Sequence, residues 1–292
     1  MNWCTQLEES IDYIEENLTS QIDPQQLGRI AHCSAYHYQR IFSYMVGVSL
    51  TEYIRRRKMS LAAIELQDGA RASDLALKYG YESPNSFARA FKRVHGITPS
   101  AGQAEGSDLK LYPRIRFQIT TTGDSEMQYR IETKPAFRIV GVRHEFSKDT
   151  DLVGREEIAG AWYVAATDGT HQKLAELSTN KEVNYLGVTV VDGDEGGVAH
   201  YIAVESSVDK LPEGYVSYEI PAQTWAIFPT SGEFNEESNP LGDLHKAVFG
   251  EWLPASGYEI ATGIDIEVWP LAGMKPPHFD LELWLPIHKP SK

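Results

Sequence analysis

The reading turns on residues 23–99, whose two ends are DPQQLGRIAHCSAYHYQRIFSYMVGVS (23–49) and RASDLALKYGYESPNSFARAFKRVHGITP (71–99). Both follow one plan. In the first, Asp23 is an N-cap and Pro24 takes the first helical position, where its missing N–H does no harm. Leu27, Ile30 and Ala31 form the inner face of a short helix that stops at His32-Cys33. Ser34 can cap the next helix, whose inner face is Tyr38, Ile41, Phe42 and Met45. Tyr36, His37, Gln39, Arg40 and Ser43 are left outside, and Gly47 ends the helix with a left-handed residue. In the second, Leu75, Ala76 and Tyr79 make the short helix and Gly80 ends it. Ser83 caps, Pro84 starts, and Phe87, Phe91 and Val94 point inward. Asn85, Ser86, Arg89, Lys92 and Arg93 stay out until Gly96 stops the helix. A longer helix over 49–66 joins the two units, with Tyr53, Ile54, Met59, Leu61, Ala62 and Ile64 facing in. Trp3, Leu7, Ile11, Ile14 and Leu18 recur at helical spacing ahead of them and predict an amphipathic helix ending near Asn17.

Two short helices with a tight turn can place the second helix in a DNA major groove. Gln, Asn and Arg suit that position because they contact base edges through two hydrogen bonds; Ser and Thr suit phosphates. One such pair is a weak signal. Two pairs on a connecting helix, each with its polar set at the start of the second helix, are far more specific. GYESPNSFARAFKRVHGITP resembles the signature of the AraC/XylS transcription regulators. Ala31, Ser34 through Phe42 and Gly47 resemble that family's first helix-turn-helix. The resemblance covers about residues 5–103 and implies two recognition helices in successive major grooves of double-stranded DNA. Tyr36, Gln39 and Arg40 match base-facing positions in the first, and Asn85, Ser86 and Arg89 in the second. His37 reads as a phosphate contact or as plain surface, and Arg55, Arg56 and Arg57 as structural or phosphate contacts. Pro84 departs from members that carry a polar residue there, which removes one contact.

The net charge of −14 speaks at first against a nucleic-acid partner, but it is unevenly spread. Residues 1–105 hold 11 basic and 12 acidic side chains, and 106–292 hold 16 and 29. Five of the early acids lie in the leading helix; residues 21–105 alone carry a net +4. Local charge is what phosphates respond to. Hydrophobic residues make up 42%, enough for packed cores, and 292 residues suit two domains. Two cysteines make no disulfide framework and fit a reducing cytoplasm. The first residues have neither a basic nor an apolar signal region, and no apolar run is long enough to span a bilayer, so a cytoplasmic protein with no membrane partner is expected.

Residues 106–126 read as a linker, with 103–108 small and polar and with a strand signal in the alternation at 114–120. From 127 to the end an α+β domain is expected: strands at 129–133 and 137–146, a helical stretch over 152–177 interrupted at Asp168-Gly169, then strands at 185–191 and 199–205 joined by GDEGG. The order recurs in strands at 215–220 and 224–230, a helix over 239–252, and strands at 263–269 and 279–287. Two pseudo-symmetric β-α-β-β type repeats with a cleft where they meet follow from this. The fold class is therefore multidomain: an all-α tandem helix-turn-helix domain (1–105) and an α+β domain (127–292). YRIETKPAFRIVGVRHEF, GYVSYEIPAQTWAIFPTSGEF, DIEVWP and DLELWLPI resemble the GyrI-like effector-binding domain. That resemblance implies a small-molecule effector, often an aromatic or lipophilic cation, and a central glutamate matched here by Glu267.

The residues make a separate case. In 263–269, Asp265, Glu267 and Trp269 share one strand face, and a carboxylate beside an indole suits a cation. Glu282 and Trp284 share a face of the last strand in the same way. Trp162, Tyr163, Tyr201 and Trp225 are candidate aromatic walls, each equally readable as core. The histidines show no metal spacing, and no phosphate loop or nucleophile elbow is present; no cofactor, metal or catalytic residue is expected. The expectation is a non-enzymatic transcription regulator, an activator contacting RNA polymerase and answering a hydrophobic or cationic effector. The alternative is a GyrI-like small-molecule hydrolase or a drug- or toxin-sequestering protein with an attached DNA-binding domain.

Overall fold

The computed structural model describes residues 3–33, 35–104, 106–117, 127–146, 155–191, 198–235, 238–261 and 263–289. The first part contains α1 (Trp3–Glu16), α2 (Pro24–Ile30), α3 (Ala35–Val46), α4 (Leu50–Gln67), α5 (Ala72–Lys78), α6 (Pro84–His95) and α7 (Pro99–Gly102). Their ends are set by the residues that sequence singled out. Asp23 accepts from the Gln25 N–H at 2.9 Å and Ser49 from the Glu52 N–H at 3.1 Å. Ser83 and Ser86 form a reciprocal capping box, and Gly47, Gly80 and Gly96 take positive φ at the helix ends. Ser34 and the GDEGG turn lie outside the described residues.

The two helix pairs have different cores. The second is self-contained: Met59, Leu66, Leu75, Tyr79, Phe87 and Phe91 form its own cluster. The first is not. Leu7, Ile11, Tyr38, Phe42 and Tyr53 belong to one continuous cluster with Phe228, Val248, Trp252, Leu283 and Leu285 of the second part. Two expectations change as a result. His37 and Ser43 are buried (2% and 8% exposed), because second-part helices cover the side of α3 expected to face solvent. Ile64 is 47% exposed, since the inner stripe of α4 runs through Tyr53, Arg57, Met59, Ala62, Ala63 and Leu66.

The alternating stretch at 114–120 is not a strand where it is described. Residues 109–117 run without regular structure along the helices. The Tyr112 N–H donates to Ser60 Oγ (2.9 Å), Ile115 N–H to the Tyr53 hydroxyl (3.3 Å) and Phe117 N–H to Glu8 (2.5 Å). Arg114 reaches Asp12 at 2.5 Å. Beneath this strap lies a polar knot. Arg57 donates through Nε and Nη2 to Glu15 (2.8 and 2.7 Å) and through Nη1 to the Tyr112 carbonyl (2.7 Å), and the Tyr53 hydroxyl donates to Glu15 at 2.7 Å. Burial works to raise the Glu15 pKa, but the Arg57 and Tyr53 hydrogen bonds outweigh it and hold the carboxyl below its ordinary value.

The second part is one antiparallel sheet with helices on one face. Its strands are β1 (Arg130–Lys134), β2 (Phe137–Phe146), β3 (Asn184–Val191), β4 (Val198–Glu205), β5 (Val216–Ile220), β6 (Gln223–Glu233), β7 (Glu259–Ile260), β8 (Ile264–Pro270), β9 (Met274–Lys275) and β10 (His278–His288). The helices are α8 (Arg155–Thr167) and α9 (Thr170–Leu177) in one repeat. In the other, α10 (Pro240–Ala247) continues through a π-helical turn (Val248–Trp252) into α11 (Leu253–Ser256). The strand order is β1-β6-β10-β8-β3-β4-β2-β5. Exchanging β1 with β5, β2 with β6, β3 with β8 and β4 with β10 reverses that order onto itself. The two repeats are thus related by a pseudo-twofold between β3 and β8, and each lends its first strand to the other's edge.

Helices α8 and α9 pack over Tyr185, Ile202, Val204 and Trp269, and α10 through α11 over Ala226, Phe228, Leu283 and Leu285, all on one face of the sheet. The opposite face carries its own apolar layer, from Ile139 and Tyr201 to Trp225 and Ile266. Gly141 permits the closest strand approach: a Cβ there would lie 2.2 Å from the Ile202 carbonyl oxygen and 2.6 Å from Ala203 Cα.

Two stability outcomes follow. Arg57→Ala leaves the part-buried Glu15 carboxylate with Tyr53 but without its guanidinium and should approach the cost of breaking a buried pair, about 3–5 kcal/mol in urea unfolding; a loss under about 1 kcal/mol would place the pair among surface ion pairs. Because the folded pKa of Glu15 is depressed, its contribution is present at neutral pH and fades as pH falls through the folded value. Gly141→Ala overpacks backbone rather than side chain and should cost at least about 1–3 kcal/mol; an unchanged unfolding midpoint would contradict the pairing of β2 with β4.

Candidate functional site

The pseudo-twofold puts β3 and β8 at the centre of the sheet, between the two helix layers. The sequence there is IDIEVWP, and its alternation sends Ile264, Ile266 and Val268 to the apolar face and Asp265 and Glu267 to the helix face. Register completes the surroundings. Glu267 lies opposite Gly187 on one side and Leu283 on the other. Asp265 lies opposite Thr189, which lies opposite His200, which lies opposite His144, so a polar row crosses four strands. Gly187 keeps the floor open, since a Cβ there would stand 3.1 Å from Trp162, 3.3 Å from His200 and 3.4 Å from Glu267 Oε2.

The Trp162 indole N–H donates to His200 Nε2 at 3.3 Å. His200 Nε2 is therefore the acceptor, which leaves Nδ1 to donate to Thr189 Oγ1 at 3.2 Å. Burial drives the His200 pKa down to about 3, so the ring is neutral. Trp269 stands 5.8 Å from Trp162 between ring centroids and also meets Phe234 and Phe279.

The cation at this site comes from α3, the helix expected to read DNA in the first unit. Arg40 of α3 donates from Nη1 to Asp265 Oδ2 (2.5 Å) and from Nη2 to Glu267 Oε1 (3.2 Å). The three side chains are 16%, 2% and 9% exposed. His37 Nε2 lies 3.7 Å from Asp265 Oδ2. From α10, His245 Nδ1 donates to the Leu241 carbonyl (2.8 Å), which turns Nε2 as an acceptor towards Arg40 Nη2 at 3.5 Å. The His245 ring stacks on Tyr44 of α3 at 4.1 Å and 10°. Asp265 Oδ1 is buried and makes no hydrogen bond among the described residues.

One guanidinium cannot neutralise two carboxylates, and the pair divides accordingly. For Asp265, burial acts to raise the pKa but Arg40 overcomes it, and the group is held far below its ordinary value. For Glu267, burial dominates; Arg40 opposes it, Asp265 reinforces it, and the pKa is pushed up to about 7. Near neutrality Asp265 is the fixed anion and Glu267 is poised to gain or lose a proton.

The residues singled out in sequence are dispersed by this geometry. Glu267, Trp162 and Trp269 are together on the helix face. Tyr163 is 71% exposed on α8. Trp225, Trp284, Tyr201 and Glu282 lie on the opposite face: Trp225 is fully buried 6.0 Å from Trp284, and Tyr201 packs on Tyr218. Glu282 is clamped by Arg130 (2.8 and 2.9 Å) and accepts from the Trp284 indole (2.8 Å), under Lys134 at 4.6 Å from that ring. Asp265, His200, His245 and Gly187 were not singled out. Asp265 was readable as the alternate neighbour of Glu267, whereas the other three join the site only through strand pairing and helix packing. A cleft of about 330 Å³ between the parts, lined by Gly28, Arg29, His32, Cys33, Ile260, Ala261 and Gly263, lies apart from the carboxylates.

The two helices expected to read DNA differ as much. In α6, Asn85, Arg89, Lys92 and Arg93 are exposed, and the helix packs on α4, α5 and α7, with the Lys110 N–H donating to His95. Ser86 is committed to the cap, donating to the Ser83 carbonyl at 2.7 Å. In α3, His37 is buried, Gln39 is half-buried and Arg40 is held as described; the side chain of Tyr36 lies outside the described set. Arg56 and Arg55 pair with Glu52.

Comparison with known proteins agrees with both parts. The integron-associated effector binding protein family matches residues 130–287, and a helix-turn-helix domain family matches 27–104. The HTH-type transcriptional activator AarP of Providencia stuartii is 41% identical over 95 residues, covering 32% of this chain and 70% of AarP. Transcriptional regulator Rob of Salmonella typhimurium is 28% identical over 291 residues, covering 95% and 96%. A solved structure of SAV2435 bound to tetraphenylphosphonium covers 56% of this chain at 15% identity with a TM-score of 0.48, too distant to bear on function. With its two helix-turn-helix units followed by the twofold sheet domain, the chain belongs to the AraC-type DNA-binding transcription regulators that carry a C-terminal effector-binding domain of the integron-associated, GyrI-like family.

Proposed function

We propose that this regulator is a cytoplasmic activator that recruits or contacts RNA polymerase when a hydrophobic or cationic effector enters the sheet domain. The supporting observation is the pair of buried carboxylates at the pseudo-twofold, bounded by Trp162 and Trp269 and already holding a cation. Burying two acids is unfavourable unless positive charge meets them, so the position selects for a cation. The direction of regulation is suggested by the name of AarP, an activator. On the DNA side, Asn85 and Arg89 stand at the start of the exposed α6 as base readers, and Lys92 and Arg93 lie on its exposed side as phosphate contacts. Tyr36, Gln39, Arg40 and His37 are assigned to the first recognition helix, for a state in which α3 is released. No membrane partner enters this reading; among the described residues no helix is long and apolar enough to cross a membrane.

Arg89→Ala should weaken binding to a selected operator by about 1–3 kcal/mol and relax one base preference, while Lys92→Ala should weaken all sequences alike and lower the salt slope by about 1. Equal operator affinity of the Arg89 variant and parent, measured by fluorescence anisotropy, would remove α6 from base reading. Glu267→Gln should reduce affinity for lipophilic cations and spare neutral aromatic compounds. Unchanged cation affinity in calorimetry would take Glu267 out of the site, and ester or amide turnover lost in that variant would favour the hydrolase reading instead.

A further inference from the structure

We propose that Arg40 is an internal ligand of the effector site, and that the effector displacing it carries an amidinium or guanidinium head. This deepens the proposed function and rests on its assignment of Asp265 and Glu267 to the effector. The contact has the form of ligand recognition: two nitrogens of one planar fork each donate to a different buried carboxylate, across more than two hundred residues of sequence. A cation without N–H groups would match the charge but leave both acceptors without donors. The fork itself leaves Asp265 Oδ1 buried with no hydrogen bond among the described residues. An amidinium brings the same four N–H groups on two nitrogens as the Arg40 fork, and a ligand not tethered to α3 can turn them towards both carboxylates including that oxygen.

The same contact fixes α3. With Arg40 and His37 against β8 and Tyr44 stacked on His245, this recognition helix is closed in on the sides that α6 exposes. Opening the interface without a replacement would take the guanidinium from both acids, a loss that is strongly destabilising as long as they stay out of water. A ligand that supplies the head group removes that penalty. It binds the open arrangement alone, as does DNA entering at α3, so ligand and DNA must strengthen one another. The groups facing the guanidinium are Asp265 and Glu267 from β8, His245 from α10 and Tyr44 from α3 itself, with His37 of α3 and His200 of β4 nearby.

The test uses the full chain, benzamidine as the N–H-bearing probe and phenyltrimethylammonium as a matched cation without donors. Arg40→Met should bind benzamidine at least tenfold more tightly than the parent, and should prefer it to phenyltrimethylammonium by a similar factor. Benzamidine added to the parent should speed amide hydrogen exchange in residues 35–46 and leave 84–95 unchanged. The double variant Asp265→Asn/Glu267→Gln, which keeps Arg40, should show the faster exchange in 35–46 without ligand and should lose benzamidine binding. Equal benzamidine affinity of parent and Arg40→Met, with binding lost in the double variant, overturns the internal-ligand role and leaves the effector site standing. Equal affinity of the two probes overturns the amidinium assignment. Binding of neither probe by folded Arg40→Met overturns the effector site together with this inference. If Arg40→Met does not fold, unchanged exchange of 35–46 in the double variant overturns the proposal on its own.

Discussion

Asp265 and Glu267 stand two residues apart on a central strand, where alternation turns both into the same dry space. Their ion pair with Arg40 is the contact on which the arrangement of the two domains depends. Charges so buried are costly, and a carboxylate pair costs more than twice one carboxylate because each raises the other's pKa. The site answers in two ways. It borrows a guanidinium from another domain, and burial pushes the Glu267 pKa up to about 7, so that a proton can take the place of a second cation. The apolar cluster shared by α1–α4, the α10–α11 segment and β10 holds the domains in contact, but that contact has little directional preference. The ion pair supplies direction, since it is satisfied only when Arg40 stands over β8.

The sheet explains why the carboxylates are central. Each repeat lends its first strand to the other, so β1 and β5 form the two edges while β3 and β8 meet in the middle. Whatever lies on those strands sits on the pseudo-twofold, flanked by one helix layer from each repeat. The symmetry is broken where function would need it: Gly187 and Thr189 on β3 face Glu267 and Asp265 on β8. Small and neutral residues on one strand leave room for acids on the other.

Much of this was legible in the sequence, for local reasons. Helix limits followed from Asp23-Pro24, Ser49, Ser83-Pro84 and the glycines, because caps act within a few residues. Strands followed from alternation, and the duplicated order gave the repeat. The described part of that stretch, 114–117, misled because alternation records two unlike surroundings, not a ladder. There Arg114 faces the acids of α1 while Ile115 and Phe117 face the apolar cluster, and the backbone donors go to Tyr53 and Glu8. The site was half legible. Glu267, Trp269 and Asp265 share a face by counting alone. Which strand lies alongside, and in which register, is a tertiary fact: Leu283 rather than Glu282 or Trp284 meets Glu267, and this one offset moves two candidate residues to the other side of the sheet. That Arg40 serves inside the protein was not legible, since exposure of α3 was inferred from a module considered without its neighbour.

The burial of the Arg40 contact also makes ionic strength a directional force. An ion pair at 16% and 2% exposure lies largely beyond the reach of mobile ions, whereas a cation that meets DNA phosphates gains its affinity from counterions that it releases. On the proposal that α3 can be released to DNA, its two destinations, the acidic domain and the duplex, are both anionic, yet they respond differently to salt. Added salt weakens the duplex as a destination and scarcely touches the carboxylates. The proposed balance between closed and DNA-bound forms would thus be coupled to the salt content of the surroundings.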